Sequence, residues 1–227
     1  MPIERKNGKT FLIPPLTEEE ARSLRMGDIV YITGMVYTLR DKGHPRLLQY
    51  AKEDKPLPFN PKGAIIFHAG PICRKEDGKW KLVVIGPTNS PRMSPYGPFV
   101  CELGVKAMMG MGGMDKKTLE ALNKHGAVYL ATPGGVAVLS GLRVKEIVKV
   151  EWLDLGMPDA NWHLNVYEFG PVIVAMDSHR NSIYDKNFEV GLQRLLKIYE
   201  RLGIGKKHYN IGSIHGYKPW PFEEEAL

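Results

Sequence analysis

Short apolar runs, separated by polar stretches rich in glycine and proline, predict a chain of many strands. The run at residues 82–85 contains two valines and one isoleucine, which predicts a strand buried on both faces. It ends at Gly86-Pro87, and an earlier run ends at Gly70-Pro71, where the pair again predicts a turn. Residues 28–38 are β-branched and aromatic, which predicts a strand, a glycine bend and a second strand.

Helical periodicity and capping residues predict helices between these strands. Thr17 and Asp115 are N-cap candidates, and residues 190–202 form an amphipathic pattern. Strands that alternate irregularly with helices predict a mixed α/β layered domain rather than a doubly wound nucleotide-binding fold. We expect one domain over residues 1–189, followed by a C-terminal helix and tail over 190–227. The amphipathic helix and Trp220 suggest subunit docking for this tail.

The composition is that of an ordinary globular protein of 227 residues, with 43% apolar and 25% charged side chains. The formal charge is +6, but the lysines and arginines are spread along the chain. An anionic small substrate or an acidic partner subunit explains this excess as well as a nucleic acid does, and no nucleic-acid arm is present. Without a signal core or a long apolar run, the sequence predicts a cytoplasmic protein with no membrane span.

Two cysteines, Cys73 and Cys101, exclude a disulfide framework and cannot complete a four-cysteine metal or iron–sulfur site within this chain. Each lies beside an apolar stretch, so a small buried side chain is the simpler interpretation. We therefore expect no metal ligand from this chain.

The loop at residues 88–92 carries Thr88, Asn89, Ser90 and Arg92 at the end of a predicted strand. Hydroxyl and amide donors beside a guanidinium suit an oxyanion, because arginine can bind a carboxylate or phosphate with two parallel hydrogen bonds. The same residue types also make an ordinary turn. The glycine-rich turn at residues 110–114 is not a phosphate-binding Walker loop, because Gly-Lys-Ser/Thr is absent.

Several motifs occur together in a fixed order, and the ordered set is more specific than any one of them. They are Arg40-Asp41-x-x-His44, Phe67-His68-Ala69-Gly70-Pro71, Gly86-Pro87-Thr88-x-Ser90-x-Arg92-Met93, Gly112-Gly113-Met114, Lys124-His125-Gly126-Ala127-Val128, Gly156-Met157-Pro158 and Glu168-Phe169-Gly170-Pro171. The series resembles the β subunit of two-subunit iron–sulfur hydro-lyases, namely class I fumarase and L(+)-tartrate dehydratase. The resemblance covers residues 24 to 185.

The resemblance implies a swivelling β/β/α domain with mixed sheets that acts with a separate α subunit, in an α2β2 type of hetero-oligomer. In that family the α subunit holds a [4Fe-4S] cluster through three cysteines, and one iron remains open to substrate. A small hydroxy-dicarboxylate, such as malate/fumarate or tartrate, would gain or lose water at a shared site. The shortage of cysteines in this chain agrees with a cluster held by the partner.

The site residues carried over by motif position are few. Arg40, Ser90 and Arg92 match residues that bind substrate, and Thr88 matches a threonine assigned to proton transfer. Asp41 and His44 are expected to orient Arg40 or to make a local turn, and Asn89 stands where the family has a second threonine. His68 and His125 are expected to be structural.

One departure from the family pattern concerns the substrate site directly. The family sequence Gly-Lys-Gly-Gly-Met is replaced here by Gly110-Met111-Gly112-Gly113-Met114. A thioether cannot supply a cation to a carboxylate, and a lost charge-assisted bond of ~1.5–3 kcal/mol weakens binding. Three interpretations stay open: a substrate without a carboxylate at that point, another cation such as Lys106 or one from the α subunit, or an anion-binding paralogue that has lost the usual activity.

Overall fold

A computed structural model describes residues 3–6 and 8–203 of the chain. Its strands are β1 (Ile3–Lys6), β2 (Lys9–Leu12), β3 (Ile29–Thr38), β4 (Ile65–Phe67), β5 (Ala69–Glu76), β6 (Lys79–Pro87), β7 (Ala107–Gly110), β8 (Val128–Ala131), β9 (Val144–Glu151) and β10 (Asn161–Met176). Its helices are α1 (Glu18–Ser23), α2 (Gly43–Lys52), α3 (Gly97–Glu102), α4 (Lys116–His125), α5 (Ala137–Leu142) and α6 (Ile183–Arg201), with 3₁₀ turns at Ser90–Tyr96 and Leu153–Leu155.

Eight strands form one mixed sheet in the order β1-β2-β3-β4-β7-β8-β10-β9. Strand β3 also pairs with β10, so that β3, β4, β7, β8 and β10 close into a ring. Strands β5 and β6 form a separate two-stranded antiparallel sheet. This architecture confirms the predicted α/β class with mixed sheets and a C-terminal helix.

The ring contains four neighbouring parallel strands, β3, β4, β7 and β8. All three residues of β4 are buried, and the apolar interior includes Phe67 and Trp162, each at most 1% exposed. Because the four strands run in the same direction, their carboxyl ends lie at one edge of the ring. The chain segments that leave this edge are therefore brought together from distant parts of the sequence.

Two helices begin where their capping residues predicted. The Thr17 hydroxyl accepts from the backbone N–H of Glu20, whose side chain accepts from the N–H of Thr17, which is a complete capping box. The Asp115 carboxylate accepts from the N–H of Thr118, and α4 ends at Gly126 in a left-handed conformation.

The prediction that residues 82–85 are buried on both faces is wrong. Ile85 is fully buried, but Val83 is 50% exposed and side chains along β6 alternate between the two environments. The reason is that β6 belongs to the separate two-stranded sheet, which has one covered face. An apolar run alone cannot distinguish this arrangement from a central strand.

Two other predicted breaks in strands are absent. Residues 29–38 form one continuous strand, in which Gly34 adopts a φ of +124° where the chain passes Pro14. The Gly70-Pro71 pair lies inside β5 rather than at the end of a strand, because the chain changes sheets one step earlier, at His68.

The helix predicted at 190–202 begins earlier, at Ile183, and ends at Arg201. The chain divides into two compact units, Met1–Ile183 and Tyr184–Leu227. The predicted domain boundary between residues 189 and 190 stays a prediction, as does a docking role for the tail. Trp220 lies outside the described residues.

No helix of the described segments is both long and apolar enough to cross a membrane.

Candidate active site

Four segments of the chain meet at the carboxyl ends of the parallel strands, and one of them carries the predicted site residue Arg40. Arg40 follows β3, His68 follows β4, Met111 follows β7 and Gly134 follows β8. In α/β sheets this edge is the usual place for a ligand, because loops from adjacent strands converge there. The fold therefore gathers four separate segments at one place.

The hairpin of β5 and β6 returns the loop at residues 88–92 to this same edge. The backbone N–H of Thr88 donates to the carbonyl of His68 (2.8 Å), and the N–H of Ser90 donates to the carbonyl of Met111 (2.8 Å). The N–H of Met111 in turn donates to the carbonyl of Thr88 (3.3 Å). The loop is thus fixed by main-chain bonds to the segments that follow β4 and β7.

Four predicted residues form one connected group, which we call the arginine cluster: Arg40, Asp41, Thr88 and Arg92. The Asp41 carboxylate lies between the two guanidiniums, 3.0 Å from Arg92 Nε and 3.6 Å from Arg40 Nη2. Arg92 Nη2 also donates to the Thr88 hydroxyl (2.6 Å). Two guanidiniums and one carboxylate leave one excess positive charge, which favours an anionic ligand.

Burial differs between the two arginines. The Arg40 side chain is 21% exposed, and its Nε is buried with no hydrogen-bond partner among the described residues. Arg40 passes directly over Gly70, where a Cβ would overlap its Nη1. The Arg92 side chain is 50% exposed. Gly70 therefore makes room for a largely buried guanidinium beside an accessible one.

Beneath the arginine cluster lies a second group, the histidine cluster, formed by His44, His68, Ser90 and Tyr129. All four residues are at most 1% exposed. The Ser90 hydroxyl is 2.8 Å from His68 Nδ1 and accepts from the Tyr129 hydroxyl (2.9 Å). His44 Nδ1 lies 2.9 Å from the Arg40 carbonyl, and the two imidazole rings are 5.2 Å apart.

Burial makes both imidazoles hard to charge. Desolvation lowers the pKa of His44 to about 4, although its hydrogen bond to the Arg40 carbonyl and the nearby Asp41 carboxylate act in the opposite direction. The pKa of His68 lies well below its usual value, first because of burial and second because of the neighbouring His44. Both rings are therefore neutral at pH 7.

Met111 occupies the position where the family has lysine. It pairs with Asn89 through an isolated parallel bridge, so its backbone adjoins the loop at residues 88–92. A Cβ placed at Gly134 would lie 3.4 Å from the Met111 sulfur, so the thioether lies close to the segment that follows β8. The lysine position of the family is thus part of this edge.

The two cysteines are both buried, Cys73 in β5 and Cys101 in α3. Burial raises the pKa of Cys73 to about 11 and that of Cys101 to about 12, so both remain thiols. Among residues 3–6 and 8–203, no three His, Cys, Asp or Glu side chains come together in a way that could hold a metal ion.

The structure brings the predicted residues together in different ways. Arg40, Asp41, Thr88 and Arg92 share the arginine cluster, whereas the Ser90 hydroxyl is directed into the histidine cluster. The roles predicted for these side chains stay predictions. Sequence reasoning missed Tyr129, since a single tyrosine in an apolar strand carries no signal of its own.

The structure thus combines a ring of mixed strands with a cluster of two arginines, an aspartate and a threonine at the carboxyl edge of the parallel strands. Residues 4–187 match the model of the family described as "Fumarase C-terminus". The chain belongs to this family, which confirms the resemblance predicted from the ordered motifs.

Relatives with curated names support the same assignment. The chain is 44% identical over 191 residues to "Putative L(+)-tartrate dehydratase subunit beta" of Methanocaldococcus jannaschii, covering 83% of this chain and 96% of the relative. It is 40% identical over 195 residues to L(+)-tartrate dehydratase subunit beta of Escherichia coli, covering 86% and 96%. It is also 42% identical over 188 residues to "Putative fumarate hydratase class I" of Geobacillus stearothermophilus, covering 82% of this chain but 35% of that longer protein.

Proposed function

We propose that this chain is the β subunit of an iron–sulfur hydro-lyase that adds or removes water on a small hydroxy-dicarboxylate such as fumarate/malate or tartrate. The observation that carries the proposal is the arginine cluster, because two guanidiniums from distant segments share one exposed edge. The names of the relatives support the reaction class.

The arginines bind the substrate in this proposal. A dicarboxylate presents two anionic groups, and opposed guanidiniums can each bind one through paired hydrogen bonds. Asp41 contacts both guanidiniums and holds them at a fixed separation while no substrate is bound. Arg40 follows strand β3 directly and Arg92 lies in the 3₁₀ turn that follows β6, so both are anchored next to rigid elements, which limits the entropy lost on binding.

Thr88 assists proton transfer. Its hydroxyl oxygen accepts from Arg92, which leaves the hydroxyl hydrogen free to donate to a substrate oxygen. In the dehydration direction a C–H bond beside a carboxylate breaks, the C–O bond of the neighbouring hydroxyl breaks, and a C=C bond forms as water leaves. Negative charge then develops on that carboxylate, and donors aimed at it stabilise the transition state.

In this proposal a partner subunit supplies the iron–sulfur cluster of the site. In the family three cysteines hold the [4Fe-4S] cluster, and this chain has only two, which are buried in different elements, Cys73 in β5 and Cys101 in α3. The proposal therefore assigns the cluster to an α subunit, in an assembly of the α2β2 type. Partner subunits are supported by the subunit naming of two relatives and by the longer chain of the third.

The test is anaerobic reconstitution of the full chain with its α subunit, followed by assays for fumarate hydration and tartrate dehydration. We expect turnover of at least one of these acids. Arg40→Lys and Arg92→Lys should raise the KM, because a point charge cannot reproduce the paired hydrogen bonds of a guanidinium.

Arg46→Lys is the matched control. Arg46 also pairs with an aspartate through two hydrogen bonds, to Asp154 (2.8 and 2.7 Å), but it does not contact the arginine cluster. Its kinetics should match those of the wild type. Absence of turnover for every 2-hydroxy acid tested, with an intact cluster on the partner, would overturn the proposal.

Met111 favours a second candidate, an altered-specificity or non-catalytic anion-binding subunit. The thioether lies at the edge of the site and offers no charge to a carboxylate. Met111→Lys distinguishes the candidates: a gain of at least about tenfold in kcat/KM would show that the native site lacks a needed cation. Unchanged or lower activity in an already active wild type would favour the first candidate.

A further inference from the structure

The two arginine-bearing segments are connected below the surface as well as through Asp41. His44 contacts the backbone of Arg40, and His68 contacts the side chain of Ser90 in the loop that carries Arg92. The two histidines lie against each other, with ring centroids 5.2 Å apart and an interplanar angle of 64°. A continuous path of buried side chains therefore runs from one segment to the other.

The hydrogen-bond partner of His44 fixes its tautomer. The Arg40 carbonyl can only accept, so His44 Nδ1, 2.9 Å away, must carry the hydrogen. A neutral ring then has its lone pair at Nε2. This Nε2 is buried and has no hydrogen-bond partner among the described residues.

The partners of Ser90 favour the opposite tautomer for His68. The Ser90 oxygen accepts from the Tyr129 hydroxyl, so its own hydrogen is available for His68 Nδ1. A neutral His68 that accepts at Nδ1 carries its hydrogen at Nε2. That Nε2 is also buried and without a hydrogen-bond partner in the described part of the chain.

The two nitrogens left over are thus complementary: His68 offers a donor and His44 offers an acceptor. A buried donor or acceptor without a partner is costly, so the two rings are held in place by their Nδ1 contacts and by their packing against each other. The surroundings maintain this arrangement. A Cβ at Gly110 would overlap the Ser90 hydroxyl, and Tyr96 stacks on His44 at 5.6 Å.

We propose that His44 and His68 are positioning residues, a neutral pair of opposite tautomers that fixes the Arg40 segment relative to the loop carrying Thr88 and Arg92. His44 acts through the Arg40 carbonyl, and His68 acts through Ser90. The Ser90 hydroxyl anchors the loop instead of contacting substrate. The kinetic part of this inference rests on the proposed function, whereas the tautomers do not depend on it.

Nuclear magnetic resonance on the ¹⁵N-labelled full chain tests the pair without any partner subunit. Long-range ¹H–¹⁵N correlations distinguish the three states of each imidazole. We expect the Nδ1–H form for His44 and the Nε2–H form for His68, both neutral at pH 7. The nearby groups that can carry charge or a proton are Arg40 and Asp41 before α2, Tyr96 and Tyr129. Identical tautomers in the two rings, or a charged ring at pH 7, would overturn the pairing.

Variants of the reconstituted complex test the positioning role. His68→Leu removes the bond to Ser90, and we expect kcat/KM to fall by about tenfold or more, because displacement of reacting groups by 1 Å can cost on the order of 100-fold. His68→Asn keeps a polar atom close to the place of Nδ1, so it should recover most of that loss.

His163→Leu is the matched control for burial. His163 is 8% exposed and bonds Asn161 (2.9 Å), away from the loop. It should lower thermal stability but leave kcat/KM within about twofold of the wild type. Equal losses of kcat/KM in His68→Leu and His163→Leu, or no recovery in His68→Asn, would overturn the positioning role. A wild type without turnover would count against the proposed function alone.

Discussion

The arginine cluster and the histidine cluster share two segments of the chain, but they differ in charge and burial, and the histidine cluster also draws His68 from the end of β4 and Tyr129 from β8. The arginine cluster is charged and partly open to solvent, with Arg92 50% and Arg40 21% exposed. The histidine cluster is neutral and at most 1% exposed. The comparison separates the charged groups suited to hold a ligand from the neutral, buried groups that contact the same two segments. Substitutions can change each cluster separately.

The largest expected effect follows removal of a guanidinium. Arg92→Ala deletes the contacts to Asp41 and Thr88, and with them a charge-assisted bond to substrate worth about 1.5–3 kcal/mol. In the reconstituted complex kcat/KM should fall on the order of 10- to 100-fold. Because the side chain is half exposed, the melting temperature should change little, and thermal unfolding provides the check. A variant with wild-type kcat/KM would exclude Arg92 from the site.

The second-largest expected effect is a loss of stability caused by overpacking the histidine cluster. Gly110→Ala forces a Cβ against the Ser90 hydroxyl, and overpacking of this kind costs about 1–3 kcal/mol. Denaturant unfolding should show the loss. Gly141→Ala in α5 is the control, since its Cβ would meet only ordinary contacts at 3.5 Å or more, and alanine favours a helix. Equal stability of the two variants would contradict the tight packing around Ser90.

Lowering the pH should reduce the free energy of unfolding through His44 in the histidine cluster. The pKa of His44 in the folded protein, about 4, lies below that of an unfolded histidine, so the unfolded chain binds protons first as the pH falls. The stabilisation is complete above pH ~6.5 and decreases towards pH ~4, by about 1.4 kcal/mol per pH unit within that window. Urea unfolding of the wild type and of His44→Asn across this range measures it. The variant should show a smaller slope, and parallel slopes would contradict a buried neutral His44.

A smaller effect is expected from Asp41→Asn. The carboxylate is 37% exposed and lies between two guanidiniums, so its net contribution to stability is limited to about 1 kcal/mol. The arginines would lose their common partner and separate, which should raise the KM a few-fold in steady-state kinetics. A lower KM would instead indicate that Asp41 competes with substrate for the arginines.

The two clusters also differ in how much of each could be predicted from the sequence. The loop with Thr88 and Arg92 was recognisable from its hydroxyl, amide and guanidinium groups, whereas the resemblance to the family was needed to place Arg40 in the same site. Tyr129 and the partners of His68 depend on strand pairings between distant segments, which no local pattern encodes. The same limit applies to β6, since its exposed face follows from a separate two-stranded sheet.

The most direct test is a double-mutant cycle in kcat/KM between Arg92→Ala and His68→Leu in the reconstituted complex. If the buried pair acts by placing Arg92, then His68→Leu should cost much less once Arg92 is absent. We expect a coupling energy of about 1 kcal/mol or more. If the two losses of kcat/KM simply add, with a coupling energy near zero, then the histidine cluster does not position the arginine cluster and the account is contradicted.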